Sequence, residues 1–184
     1  MKKLLFLLLS CTAIASVKSI AQGPSSIKVS QQSFVTYPFS DPDPIASQTA
    51  IYPYYRFDGF TNKPINKKWT VVELENDYIK VVILPEIGGK IWTAIDKTTG
   101  KEFLYNNKVV KFRDIAMRGP WTSGGLEANY GIIGHTPNCA TPVDYSTKNN
   151  IDGSVICFIG VLDLLTRTNW QIEINLPKDK AYFT

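Results

Sequence analysis

The chain has 184 residues, the length of a single domain. Its 44% apolar and 20% charged residues are typical of a globular protein, and its net charge of +4 is spread without a basic block. Proteins that bind nucleic acids usually carry dense clusters of lysine and arginine, so this distribution argues against that class.

The first 21 residues have the order of a secretory signal peptide. Lys2 and Lys3 precede an apolar run, and small residues lead to Ala21. The run is far shorter than the ~20 apolar residues of a membrane-spanning helix. We therefore predict cleavage after Ala21 and a periplasmic or extracellular protein. The residues before Cys11 also loosely resemble a lipoprotein cleavage site, so lipidation of Cys11 is the alternative.

Residues 22–50 are polar, interrupted by prolines, and predicted to form an extended leader in which residues 27–35 pair as a strand. The aromatic segment 51–57 contains a proline, which is typical of an edge or irregular strand packed against a sheet. The predicted β domain runs from residue 51 to residue 184.

Alternating apolar residues predict the strands of this domain. Residues 69–75 and 78–84 form a hairpin that turns at Asn76 and Asp77, with Ile79, Val81 and Ile83 on one face. The other predicted strands cover residues 90–95, 102–105, 154–161 and 170–176. The strand 154–161 is apolar on both faces, which indicates a central position.

No segment has the pattern of an amphipathic helix of ten or more residues, so the predicted fold is all-β, a sandwich of antiparallel strands. Residues 177–180 predict a turn and residues 181–184 the start of a return strand. A sandwich that ends there would expose an edge, which native proteins avoid. The pattern therefore indicates a truncated domain.

Cys139 and Cys157 remain after removal of the signal peptide. In an oxidising compartment they can form a disulfide, which would stabilise the fold by roughly 3 kcal/mol. The alternative, which the apolar residues around Cys157 favour, is that they are small buried residues. The ligand spacing of a metal site is absent, and no cofactor is expected.

Residues 118–137 hold the candidate functional groups. The segment is rich in glycine, a composition that favours a loop, and loops on a rigid scaffold often carry binding groups. It contains the six candidate side chains Arg118, Trp121, Glu127, Asn129, Tyr130 and His135. Each also has a structural interpretation: His135 donating to a backbone carbonyl, Arg118 pairing with a carboxylate, and Trp121 covering the core.

Two motifs resemble a known family. Residues 84–92 (Leu-Pro-Glu-Ile-Gly-Gly-Lys-Ile-Trp) and 99–105 (Thr-Gly-Lys-Glu-Phe-Leu-Tyr) resemble the opening strands of galactose mutarotase-like domains. Residues 112–121 and 134–137 resemble a narrower bacterial family of unknown function, common in Bacteroidetes, whose β domain is often followed by tetratricopeptide repeats. In these motifs we expect Gly88 and Gly89 to serve a tight turn and Glu86 to be solvated.

The resemblance implies the N-terminal part of a large β-supersandwich with a carbohydrate-facing cleft. In mutarotases a histidine is the acid and a late glutamate the base. His135 can be matched to the first role and Glu127 can stand in for the second, while the late glutamate would lie beyond Thr184. The expected sugar-binding residues are Arg118, Trp121, Asn129 and Tyr130. Residues 118–137 are therefore expected to form one wall of the cleft.

The sequence thus predicts an exported carbohydrate-binding or carbohydrate-processing module, with carbohydrate as its partner. Whether it is an enzyme stays open. The two activities considered are an aldose-epimerase-like activity and glycoside hydrolysis that uses Glu127 and Asp144. The fragment alone is expected to be inactive. The alternative function is a non-catalytic protein-interaction domain in a larger exported repeat protein.

Overall fold

The computed structural model describes residues 23–38, 61–114, 120–130, 138–164 and 166–184, and every regular element in them is a β-strand. The all-β prediction is therefore confirmed. The strands are β1 (Ser26–Tyr37), β2 (Ile65–Glu75), β3 (Ile79–Leu84), β4 (Lys90–Asp96), β5 (Lys101–Glu102), β6 (Val110–Lys111), β7 (Arg113–Asp114), β8 (Pro120–Trp121), β9 (Asp144–Asn149), β10 (Val155–Asp163) and β11 (Thr168–Leu176). The predicted signal peptide and the aromatic segment 51–57 lie outside the described residues.

The described strands form three sheets. The largest has six strands in the order β5-β4-β3-β2-β1-β6, and its strands are antiparallel except for the short parallel pairing of β1 with β6. The second has three antiparallel strands in the order β11-β10-β9, and β7 pairs with β8 in the third. The strand predicted within the leader extends over Ser26–Tyr37 and pairs with β2 along most of its length.

The six-stranded sheet is covered on both faces. On one face, Ile79, Val81 and Ile83 of β3 belong to a core cluster that also contains Cys157 and Ile174 of the three-stranded sheet. This shared core makes the two sheets a sandwich, as predicted. The alternate β3 residues Val82 and Leu84 belong to a second cluster on the opposite face, with Trp69, Trp92 and Phe112 among its members.

The turn between β3 and β4 is wedged between two other parts of the chain. Gly88 and Gly89 have φ values of +65° and +69°, a backbone region that side chains strongly disfavour. A Cβ atom on Gly88 would lie 2.6 Å from the carbonyl oxygen of Asn138, and one on Gly89 would lie 2.5 Å from Cδ1 of Ile159. Both glycines are therefore required by the turn and by close packing. Glu86 is not simply solvated, because its Oε1 accepts the N–H of Thr70 at 2.7 Å.

The observed strands differ from the sequence prediction in two places. The strand expected over residues 102–105 ends at Glu102, because the next carbonyl groups bond elsewhere: Leu104 O accepts from Thr93 Oγ1, and Tyr105 O accepts from the Gly125 N–H. Strand β9 was not predicted, because all six of its side chains are exposed and no apolar alternation reveals it.

Asn76 links the β2–β3 hairpin to the C-terminal turn. Its Oδ1 accepts the N–H groups of Tyr78 and Ile79, both at 2.9 Å. Its Nδ2 donates to the carbonyl oxygens of Pro177 (2.7 Å) and Lys180 (2.8 Å). The predicted turn at 177–180 is thereby tied to the first sheet. Beyond it, Thr184 and Asn175 exchange two backbone hydrogen bonds, at 2.7 and 2.9 Å, in the manner of a return strand.

Replacing Asn76 with alanine should therefore destabilise the domain by about 3 kcal/mol, because four hydrogen bonds of a side chain that is only 4% exposed are lost. Urea unfolding measures the change. The control is Asn66→Ala, since Asn66 is exposed on β2 and its loss should change the unfolding free energy by less than about 0.5 kcal/mol. Equal stability of the two variants would contradict the role given to Asn76.

Candidate functional site

The Lys90 side chain lies under the predicted binding loop and contacts three of its residues. Lys90 is the first residue of β4, and its side chain is 2% exposed. Its ammonium donates to the carbonyl oxygen of Thr122 and to Thr122 Oγ1, the latter at 3.1 Å. Oε2 of Glu127 lies 3.8 Å from the ammonium, and the centre of the Trp121 ring lies 5.4 Å away. We call Lys90, Trp121, Thr122 and Glu127 the Lys90 cluster.

The electrostatics of the cluster are those of a buried cation that needs partners. Burial lowers the pKa of Lys90, and the nearby carboxylate of Glu127 acts in the opposite direction. An ammonium removed from water costs several kcal/mol unless hydrogen bonds and a counter-charge replace its hydration. Thr122 and Glu127 replace part of that hydration, and the ammonium thereby ties the loop to β4.

Backbone pairing fixes the same loop against β4. Ile91 and Leu126 exchange two backbone hydrogen bonds, at 3.0 and 2.8 Å, and the Gly125 N–H donates to Tyr105 O at 2.5 Å. A Cβ atom on Gly125 would collide with the carbonyl oxygen of Ile91, and its φ is +67°. Glycine at this position therefore lets the loop lie directly on the edge of β4. Trp121 enters from β8, where it pairs with Arg113 of β7.

The far end of the loop contacts the other sheet. The ring of Tyr130 lies 6.3 Å from that of Trp170 on β11, at an interplanar angle of 34°. Its hydroxyl is hydrogen-bonded to the hydroxyl of Thr168, which in turn contacts Thr166 Oγ1 at 2.6 Å. Thr166 donates to the buried carboxylate of Asp163.

The structure therefore brings Trp121 and Glu127 together at one end of the loop and places Tyr130 at its other end. Asn129, beside Tyr130, is exposed. Arg118 and His135 lie outside the described residues, so their predicted roles stay predictions.

Cys139 and Cys157 are free and buried. The pKa of each thiol is raised to about 12, by burial in both cases and for Cys139 also by the nearby charge of Glu127. Thiols of this kind are protonated and poor nucleophiles at neutral pH. Of the two interpretations from sequence, the structure supports small buried residues.

Two other features bear on the site. In the part of the chain that the structure describes, no three His, Cys, Asp or Glu side chains are arranged to hold a metal ion. Within the same residues there is no helix of the length and apolarity that crossing a bilayer requires.

Comparison with known proteins identifies the family. The model of a domain of unknown function, DUF5107, matches residues 46–184. The chain belongs to this family. A solved structure with a similar fold is that of a TPR-domain containing protein from Parabacteroides distasonis ATCC 8503, with a TM-score of 0.76 and 25% identity over 86% of this chain. The DUF5107 chain spans 28% of the length of that protein.

The predicted membership of a Bacteroidetes-type family of unknown function is thus confirmed, and the similar structure belongs to a repeat-containing protein. Strand β1 precedes the part of the chain that the DUF5107 model matches, yet it is fully integrated into the six-stranded sheet.

The sequence reasoning missed two residues of the Lys90 cluster, Lys90 and Thr122. A signal for Lys90 exists, because side chains two apart in a strand share a face and Lys90 is two residues before the apolar Trp92. A lysine on an apolar face must find a counter-charge, and Glu127 in the glycine-rich loop was already a candidate.

A titration of Lys90 tests this electrostatic description. The DUF5107 chain is labelled with 13C-lysine, and the NMR signal of Lys90 Cε is assigned as the one that disappears in Lys90→Arg. This signal should titrate with a pKa below the roughly 10.4 of exposed lysines. Glu127→Gln should lower that pKa further, since it removes the charge that raises it. Because the folded pKa lies below the unfolded one, the contribution of Lys90 to stability rises as pH increases through this window. A pKa equal to that of the exposed lysines would contradict the burial, and a pKa unaffected by Glu127→Gln would contradict the ion pair.

Proposed function

We propose that this DUF5107 domain is a carbohydrate-binding module of an exported protein, with the loop from Trp121 to Tyr130 as part of its site. The resemblance to mutarotase-like domains and the composition of the loop support carbohydrate as the ligand. Pyranose rings present an apolar C–H face that packs on aromatic rings, and hydroxyl groups that need amide or carboxylate partners. The loop offers Trp121, Asn129 and Tyr130 for these contacts.

The observation that carries this function is the Lys90 cluster. The ammonium of Lys90 contacts both the half-buried ring of Trp121 and the carboxylate of Glu127, which restrains the two side chains relative to each other. Preorganised groups bind more tightly, because little conformational freedom is lost on binding. A glycine-rich loop that would otherwise sample many conformations is thereby suited to recognition.

We assign binding and no reaction to these residues. Glycoside hydrolysis requires two carboxyl groups roughly 5–10 Å apart across the scissile bond. Glu127 is paired with Lys90, and Asp144, the other candidate, lies on β9 of the other sheet. An epimerase-like reaction would need an acid as well, and His135 is the residue proposed for it.

Protein interaction is the second candidate function. Three apolar side chains beside the loop are exposed: Phe103 (50%), Tyr105 (72%) and Leu126 (50%). The Gly125 N–H bonds to the carbonyl oxygen of Tyr105, which brings Tyr105 and Leu126 into one region. Exposed apolar groups close together are typical of protein-binding surfaces. Under this function the region beside the loop would take a protein partner and no sugar.

Glycan binding by the purified chain tests the proposed function. We expect binding on a glycan array, and about tenfold weaker binding of the recognised glycan by Trp121→Ala in calorimetry, because the loss of one stacked ring costs about 1.4 kcal/mol. Trp121→Phe keeps a ring and should retain most of the affinity.

The matched control is Tyr182→Ala, which removes an aromatic side chain that is 52% exposed and far along the chain from the loop. It should bind like the unchanged chain. Absence of binding to every glycan would refute carbohydrate binding and favour the interaction domain. Unchanged binding by Trp121→Ala would remove the loop from the site.

A further inference from the structure

An open groove of about 460 Å³ lies on the three-stranded sheet, away from the Lys90 cluster. Its volume falls in the range of small-molecule clefts, roughly 300–1,000 Å³. The side chains that line it come from all three strands: Asp144 and Ser146 of β9, Phe158 and Leu162 of β10, and Asn169 and Gln171 of β11.

The strand register places these six side chains on the outer face. Ile159 on β10 faces the shared core, so its neighbours Phe158 and Gly160 face outward. Across the sheet, Gly160 is opposite Gln171 on one side and Asp144 on the other. Gly160 lies between Phe158 and Leu162 and packs closely on β11, where a Cβ atom would collide with the carbonyl oxygen of Trp170.

The lining combines an apolar strip with polar borders. Phe158 is half-buried and Leu162 is 47% exposed, both on the central strand. The four polar side chains, from β9 and β11, are all exposed. An apolar strip bordered by hydrogen-bonding groups matches a pyranose ring, whose C–H face is apolar and whose rim carries hydroxyl groups.

The polar side chains are available to a ligand. Within the described residues, none of the side chains of Asp144, Ser146, Asn169 and Gln171 makes a hydrogen bond or ion pair with another residue. Together an amide pair, a hydroxyl and a carboxylate offer both donors and acceptors. Sugar hydroxyl groups require both.

The charge of the lining indicates which sugars fit. Among the described residues that line the groove, Asp144 is charged and there is no lysine or arginine. A carboxylate without a neighbouring cation repels phosphate and uronate groups and tolerates neutral rings. The groove therefore favours a neutral saccharide over an acidic one.

The groove and the loop that carries the proposed function share strand β11. Tyr130, at the end of the loop, packs against Trp170 on the core-facing side of β11, and the groove lies on the opposite face of the same strand. We infer that this groove binds a neutral oligosaccharide through Phe158, Asn169 and Gln171, an inference that rests on the carbohydrate binding proposed above.

Calorimetry with maltohexaose, cellohexaose, xylohexaose, mannohexaose and the acidic hexagalacturonate tests the inference on the full chain. At least one neutral hexasaccharide should bind, and more tightly than hexagalacturonate. The double variant Asn169→Ala/Gln171→Ala should weaken that binding about tenfold, since two hydrogen-bonding groups are lost. Both residues are exposed, so folding should be preserved. Phe158→Ala should weaken it by a similar factor.

Gln32→Ala is the matched control, because Gln32 is an amide on the paired strand β1 that does not line the groove. It should bind like the unchanged chain. If a hexasaccharide binds the double variant and Phe158→Ala with unchanged affinity, the groove is not the site, although carbohydrate binding stands. Tighter binding of hexagalacturonate would overturn the neutral class. No binding of any hexasaccharide would overturn the inference, and failure on the glycan array as well would overturn the proposed function.

Discussion

The buried ammonium of Lys90 is the constraint on which the rest of the site depends. A buried charge at the start of an inner strand has to be hydrogen-bonded and compensated. The loop from Trp121 to Glu127 provides them through the carbonyl and hydroxyl of Thr122 and the carboxylate of Glu127. Its position is therefore set by electrostatics as well as by packing.

Glycines in the turn before Lys90 and in the loop itself make this arrangement sterically possible. The Gly88–Gly89 turn delivers Lys90 to its buried position while packing tightly against residues 138–141 and β10. Gly125 lets the loop approach the backbone of β4 closely enough for Leu126 to pair with Ile91. A side chain on Gly125 would collide with the carbonyl oxygen of Ile91, and one on Gly88 or Gly89 would collide with Asn138 or Ile159.

The same loop joins the two halves of the sandwich. One end is held by Lys90 of the six-stranded sheet, and the other by Trp170 and Thr168 of the three-stranded sheet. The aromatic residues of the loop and the outer groove of the three-stranded sheet are consequently parts of one framework. The loop contacts the core-facing side of β11 and the groove lies on its outer face, so the two are separate surfaces of that framework.

Sequence reasoning recovers the parts of the fold that a repeating pattern encodes. The β2–β3 hairpin and the alternation in β11 follow from apolar residues at every second position. Strand β9 has no apolar pattern, and the pairing of Leu126 with Ile91 joins residues far apart in sequence, so neither could be predicted. Within the site, Trp121 and Glu127 could be proposed from residue type. The strand pattern carries a signal for Lys90, but its contact with the loop joins residues far apart in sequence and could not be predicted.

Amide hydrogen exchange in Lys90→Met tests the central claim most directly. The account predicts that the Leu126 and Gly125 amides, which bond to Ile91 and Tyr105, lose protection when the charge is removed, while the amides of the β2–β3 hairpin keep theirs. Lys101→Met, at an exposed lysine, should leave every amide as it was. Unchanged exchange at Leu126 in Lys90→Met, or an equal loss of protection in all strands, would contradict the claim that the ammonium holds the loop.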